Sequence, residues 1–74
     1  MKTLDLHGLR HKDAQRKTEK FVNDNWSTID GGLKIITGNS STMKKVVTDV
    51  LDQYDLGYTI GGPLGIDGSY ILTQ

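Results

Sequence analysis

The fold of this chain is decided by the stretch LDLHGLR, residues 4–10. Its alternation places the first two leucines on one face of a short strand, and Asp5 and His7 on the other face. Gly8 then interrupts the strand, and a helical pattern follows. A carboxylate and an imidazole before a strand-to-helix turn occupy a favoured place for chemistry in α/β proteins. A polar edge on a half-buried strand would give the same pattern.

Composition indicates one small domain over residues 1–74. The chain has no cysteine, which excludes disulfides and thiolate metal sites and suits a reducing compartment. No apolar run is long enough for a membrane span or a signal peptide, so we expect no membrane partner. The domain pattern starts directly after Met1, which suggests a free-standing, cytoplasmic domain.

Charge is unevenly distributed although the formal net charge is zero. All nine lysines and arginines lie in residues 1–45, whereas residues 46–74 hold four aspartates and no strong base. A neutral chain is not attracted strongly and nonspecifically to nucleic acid. The asymmetry indicates an oriented contact with a polyanion, and a solvated surface of mixed charge explains it nearly as well.

Hydrophobic periodicity predicts the order βαβαββ. Strands are expected at 2–7, 33–37, 58–60 and 69–73, helices at about 11–26 and 43–54, and a glycine-rich loop at 61–68. Gly57 is the predicted C-terminal cap of the second helix. The predicted fold class is α/β, as an α+β two-layer sandwich. It has a four-stranded mixed sheet, both helices on one face and the other face open.

The aromatic residues are assigned to layers by the same periodicity. Phe21 and Trp26 share the apolar stripe of the first helix, so we expect them in the core. Tyr58 and Tyr70 are less settled. An aromatic ring on the open face can stack an unpaired base, but Tyr70 is expected to help fill the core.

A second polar turn lies in IITGNSS, residues 35–41. Ser40 or Ser41 is a natural N-cap for the helix that follows. Helix-start amides, the Thr37 hydroxyl and the following lysines, Lys44 and Lys45, are groups that can hold a phosphate. A capped helix with two solvated lysines would look the same.

Three motifs occur in a telling order: LDLHG at 4–8, IITG at 35–38 and GSYIL at 68–72. Together they resemble the small MutS-related (Smr) domain over essentially the whole chain. The resemblance implies a fold like the C-terminal domain of bacterial translation initiation factor three. It also implies binding to DNA or RNA, often with endonuclease activity that needs little or no metal.

The resemblance assigns catalytic roles to Asp5 and His7. It also matches Thr37 and Gly38 to a phosphate-binding loop, and Gly68 to the glycine before the last strand. Ser40 stands where the family usually has a second loop glycine, which makes close approach of a phosphate less secure. That loop is also expected to be shorter than is usual in the family.

Four basic residues complete the predicted site: Arg10, Lys12, Lys44 and Lys45. We expect them to form one anion-binding rim, because both helices start where a strand ends at the same sheet edge. Arg10 and Lys12 stand where the family often has a capping threonine and an acid. Forgoing a cap costs about 1 kcal/mol, which suggests that an anion lies there in the working state.

Imidazole titrates near neutrality, so His7 is the best acid–base group. Asp5 can orient it, act as the base or hold a divalent ion. One Asp and one His make a poor metal site, so no metal site or cofactor is assigned, and a divalent cation stays open. The predicted function is a nuclease acting on DNA or RNA. The alternatives are a binding module that does not cut and a protein-interaction domain; the oligomeric state is not predicted.

Overall fold

Four strands and two α-helices build the fold, in a computed structural model that describes residues 2–61 and 69–73. The elements are β1 (Lys2–Asp5), α1 (His11–Asp24), a 3₁₀ helix (Trp26–Gly31), β2 (Leu33–Ile36), α2 (Ser41–Gln53), β3 (Tyr58–Ile60) and β4 (Tyr70–Thr73). The sheet order is β1-β2-β4-β3. β1 and β2 are parallel, and β4 is antiparallel to both of its neighbours. The βαβαββ order and the mixed sheet are confirmed, whereas the likeness to the initiation factor domain stays a prediction.

Both helices pack on one face of the sheet. Three strand residues that point to this face are at most 1% exposed: Leu33, Ile35 and Ile71. They meet helix residues that are fully buried: Ala14, Val22, Val47 and Leu51. The opposite face carries the half-buried side chains of Lys34, Ile36 and Leu72, and no helix of the described residues covers it. The two-layer arrangement is therefore confirmed.

The first helix ends earlier than its periodicity predicts. Asn25 donates a hydrogen bond from Nδ2 to the carbonyl oxygen of Phe21 at 2.8 Å, and the chain then turns into the 3₁₀ helix. Phe21 packs against the core as expected. Trp26 is 49% exposed and its ring lies 5.8 Å from that of Tyr54, so the prediction of a core tryptophan is wrong.

The second helix ends at a residue other than the predicted glycine. Asp55 has a φ of 58°, and its N–H donates to Asp52 while that of Leu56 donates to Leu51. This is the Schellman pattern, with Asp55 in the left-handed position. Gly57 is not among the residues with positive φ, so its assignment as the cap is wrong.

The two tyrosines belong to different layers. Tyr58 packs against the core. Tyr70 precedes the fully buried Ile71 and pairs with Ile36 on the open face, so the expectation that Tyr70 fills the core is wrong. The strand pattern alone did not fix which of the alternating positions in β4 faces the helices.

Two further sequence-based predictions concern the glycine before the last strand and membrane-spanning helices. Gly68, like residues 62–67 of the predicted glycine-rich segment, lies outside the described residues. In the described part of the chain, no helix is both long enough and apolar enough to cross a bilayer.

Candidate functional site

The two strand-to-helix turns meet at one edge of the sheet. β1 runs parallel to β2 with Asp5 opposite Ile36, and the N–H of Leu6 donates to the Ile36 carbonyl at 2.8 Å. Because both strands end here, both α-helices begin here. We call this edge, formed by residues 5–10 and 37–40, the turn edge. It holds most of the residues that the sequence singled out.

The first turn is shaped by the Asp5 carboxylate. Its Oδ1 accepts a hydrogen bond from the backbone N–H of His7 at 2.9 Å, which ends β1 two residues before the predicted boundary. Gly8 follows with a φ of 81°, a conformation that favours glycine. Leu6 is fully buried and anchors the turn, whereas Asp5 and His7 are exposed. Asp5 therefore positions His7 through a hydrogen bond to its backbone N–H.

The second turn is held by the start of β4. The N–H groups of Thr37 and Gly38 both donate to the Ser69 carbonyl, at 2.8 and 3.0 Å. The hydroxyl of Thr37 donates to the Gly38 carbonyl at 2.8 Å, and this side chain is 3% exposed. The buried Thr37 thus holds the loop in place through its hydrogen bonds, which supports a positioning role for this residue.

The ring of His7 lies against the second turn. A Cβ placed on Gly38 would be 3.6 Å from Cδ2 of His7, so the imidazole lies on the side of the glycine from which a side chain would project. Gly38 also has a φ of 69°, in the region that favours glycine. The structure therefore brings His7 and Gly38, predicted from two separate motifs, into direct proximity.

Basic side chains surround the turn edge. Arg10 is the N-cap residue of α1 but makes no capping hydrogen bond, and Lys12 follows in the first turn of that helix. Lys44 is half-buried and Lys45 exposed near the start of α2. Lys45 forms an exposed ion pair with Asp49 at 3.4 Å, which such exposure makes weak. Parallel β–α units therefore place the two basic pairs at the same end of the molecule.

Sequence reasoning missed two further basic residues, Arg16 and Lys17. Both are exposed on α1, and Arg16 lies one turn beyond Lys12. The i, i+4 spacing of Lys12, Arg16 and Lys20 was a usable signal for a basic stripe. Lys20 is paired with Asp24 at 3.0 Å, so the stripe loses its positive character toward the end of α1.

The N-cap of α2 is the predicted Ser40. Its hydroxyl oxygen accepts a hydrogen bond from the Met43 N–H at 3.1 Å. Ser40 therefore stabilises the start of the helix. The cap uses one free N–H of the first turn, and the remaining helix-start amides still face the turn edge.

No metal cluster marks the turn edge among the described residues. Within residues 2–61 and 69–73, no three His, Asp or Glu side chains are grouped so that they could hold a metal ion. Two surface depressions lie elsewhere. One of about 240 Å³ is beside Lys2 and Gly32, and one of about 200 Å³ is beside Leu4 and Phe21. At the turn edge itself, Asp5, His7 and Arg10 are exposed.

Comparison with known proteins identifies the family. No curated protein and no solved structure gives a significant match to this chain. The family model described as "Smr domain" matches residues 4–60, which include both turns and both α-helices. Smr domains commonly bind nucleic acid, and some members have nuclease activity. The chain belongs to the Smr domain family.

Proposed function

We propose that this Smr domain binds DNA or RNA at the turn edge and cleaves a phosphodiester bond there. The observation that supports this most is the proximity of the two motifs: the ring of His7 lies beside Gly38, where both α-helices begin. A phosphate at this place would meet backbone amides, an imidazole and basic side chains together.

The placement of charge supports binding of a polyanion. Acidic residues near a helix start and basic residues near its end stabilise a helix through its dipole. Here α2 has no acidic residue in its first turn, and neither α-helix has a basic residue in its last turn. Arg10 also occupies the N-cap of α1 without capping it. These choices cost helix stability and concentrate positive charge at the turn edge.

His7 performs the acid–base step in this proposal. The imidazole takes a proton from the attacking hydroxyl, whether of water or of a ribose, as that oxygen forms its bond to phosphorus. The bond from phosphorus to the leaving oxygen breaks, the leaving oxygen takes up a proton from water, and the imidazolium returns its proton to the solvent. Arg10 and the lysines of the rim neutralise charge on the phosphoryl oxygens. Asp5 holds the turn, and its carboxylate stabilises the positive charge that forms on the imidazole.

Substitution of the two histidines tests the catalytic proposal. The substrates are supercoiled plasmid and a structured RNA, each with EDTA and with Mg²⁺, which also shows whether a divalent cation takes part. His7→Gln is expected to lower cleavage by about 10²- to 10⁴-fold, the usual effect of losing an acid–base group. His11→Gln changes the other exposed histidine of the chain and should leave cleavage unchanged.

A second pair of variants separates the charge of Asp5 from its structural role. Asp5→Asn keeps an oxygen that can accept from the His7 N–H, so the turn should survive while cleavage falls by a similar factor. Asp5→Ala should lose the turn as well, with a lower melting temperature. Undiminished cutting by a folded Asp5→Asn/His7→Gln double variant would end the catalytic assignment. Tight binding without any cutting by the wild type would establish a non-catalytic binding module instead.

A further inference from the structure

We propose that the open face of the sheet is a platform for single-stranded nucleic acid, on which Tyr70 stacks an unpaired base and Lys34 contacts a phosphate. This inference rests on the proposed function and names its substrate class: strands or segments with unpaired bases. It concerns the face away from both α-helices, which the turn-edge site borders at Asp5.

The register places Tyr70 in line with the turn edge. Asp5 lies opposite Ile36 in the β1–β2 pair, and Ile36 lies opposite Tyr70 in the β2–β4 pair. The three residues therefore form one row across the sheet, with Tyr70 two strands away from Asp5, or about 10 Å at the usual strand spacing. Ser69, which precedes Tyr70, accepts the hydrogen bonds of the second turn. A strand bound at the turn edge can thus extend directly onto this row.

The side chains of the open face suit a nucleotide. Nζ of Lys34 lies 4.6 Å from the centroid of the Tyr70 ring. Among the described residues, Lys34 has no carboxylate partner, so its ammonium is held only by the ring and can turn toward a phosphate. Ile36 and Leu72 beside the ring are half-buried and supply an apolar floor. The face thus combines an aromatic ring, a cation without a carboxylate partner among the described residues, and an apolar surface.

A flat sheet surface discriminates between paired and unpaired bases. An aromatic ring on a sheet stacks on the face of a base that has been splayed out of its helix. In a duplex those faces are covered by neighbouring base pairs, so the ring has nothing to stack on. Stacking contributes binding energy with any of the bases, because each base has a π-face. The platform therefore favours unpaired segments without requiring a particular base.

The first test compares Tyr70→Leu with Tyr70→Phe. Binding is measured with a single-stranded oligonucleotide, as DNA and as RNA, and with the duplex of the same sequence. Tyr70→Leu keeps apolar bulk and should weaken single-strand binding by about 5- to 150-fold, the range that loss of one stacked base produces. Tyr70→Phe retains the ring and should bind nearly as well as the wild type. Duplex binding should be unchanged in both variants.

The second test uses salt dependence. Lys34→Gln should reduce the slope of log K against log salt for the single strand by about 0.7, the value for one phosphate contact. Lys2→Gln removes another exposed cation of the sheet and should leave the slope unchanged. Equal loss of duplex and single-strand binding by Tyr70→Leu, or no loss at all, overturns the platform while leaving the turn-edge site intact. Failure of the wild type to bind any nucleic acid overturns both proposals.

Discussion

Asp55 shows how a single residue can carry strain that the sequence pattern hides. It closes α2 with a φ of 58°, a conformation that costs a residue with a Cβ about 1–2 kcal/mol. We expect Asp55→Gly to raise the free energy of unfolding by about 0.5–1 kcal/mol, since glycine relieves this strain but has more freedom to lose on folding. The change also removes a negative charge from the C-terminal end of the helix dipole. Urea denaturation of both proteins measures the difference.

Gly57 provides the control, because the sequence favours it as the cap and the structure does not. Gly57→Ala should not destabilise the protein, since no left-handed backbone is required there. A large loss of stability in Gly57→Ala, with no gain in Asp55→Gly, would show that Gly57 and not Asp55 caps α2. The case shows why helix ends are hard to predict: Asp tolerates the left-handed region, and its identity alone does not reveal that it occupies it.

At the scale of elements, β2 and β4 are joined by a side chain as well as by their backbones. Oγ1 of Thr73 accepts a hydrogen bond from the buried N–H of Leu33 at 2.8 Å. Thr73→Val keeps the shape but leaves this N–H without its partner, so we expect a loss of about 1–3 kcal/mol of stability. Thr73→Ser keeps the hydroxyl and should cost less than Thr73→Val in the same denaturation experiment. Equal losses would show that the methyl group, and not the hydrogen bond, matters here.

Hydrophobic periodicity predicted which helices and strands form better than it predicted where they end or which face of the sheet a side chain occupies. The stripe of α2 buries Val47 and Val50 as expected, at 0% and 1% exposed. The stripe of α1 continues by spacing to Trp26, but the Asn25 side chain bonds back to Phe21 and the helix stops first. The prediction for Tyr70 was wrong because β4 has apolar residues on both of its faces. Which of them point to the helices depends on strand pairing that only the folded chain reveals.

Part of the candidate site could also be predicted from the sequence, because it follows from the order of strands and helices. Parallel β–α units have to bring both turns to one edge, so the meeting of the His7 and Gly38 motifs follows from topology. The bond from the Asp5 carboxylate to the His7 N–H is a local turn that alternation did not reveal. The burial of Thr37 beneath its loop depends on Ser69, thirty-two residues further along the chain. Contacts at such separation cannot be inferred from spacing.

At the scale of the whole molecule, charge runs along the direction of the parallel helices. Basic residues gather where both α-helices begin, whereas Asp24, Asp52 and Asp55 lie at or just beyond the ends of α1 and α2. Each of these sets has the sign that opposes the helix dipole beside it, whereas Asp13 in the first turn of α1 favours the dipole. With a net charge of zero, the protein still presents a positive end to a polyanion. The same arrangement predicts that a substitution which stabilises a helix start will weaken nucleic-acid binding, and one variant tests this.

Lys12→Glu is expected to move stability and binding in opposite directions. Lys12 lies in the first turn of α1, one turn before Arg16. A carboxylate there meets the dipole favourably and replaces a like-charge neighbour by an opposite one, so the free energy of unfolding should rise by about 0.5–1 kcal/mol. Nucleic-acid affinity should fall, and its salt dependence should flatten, because a phosphate contact is lost. Titrations at several salt concentrations and urea denaturation measure the two effects.

Lys2→Glu makes the same change of charge at the start of β1, away from the turn edge. It should leave nucleic-acid affinity close to that of the wild type, because an exposed charge far from the bound phosphates is screened within about 10 Å at 0.1 M salt. If both variants weaken binding equally, net charge alone governs the interaction and the turn edge loses its special role. If Lys12→Glu binds as tightly as the wild type, the first turn of α1 does not touch the nucleic acid. A more stable Lys12→Glu protein that binds poorly, beside a Lys2→Glu protein that binds normally, would show that the charge at this helix start serves binding at the expense of the fold.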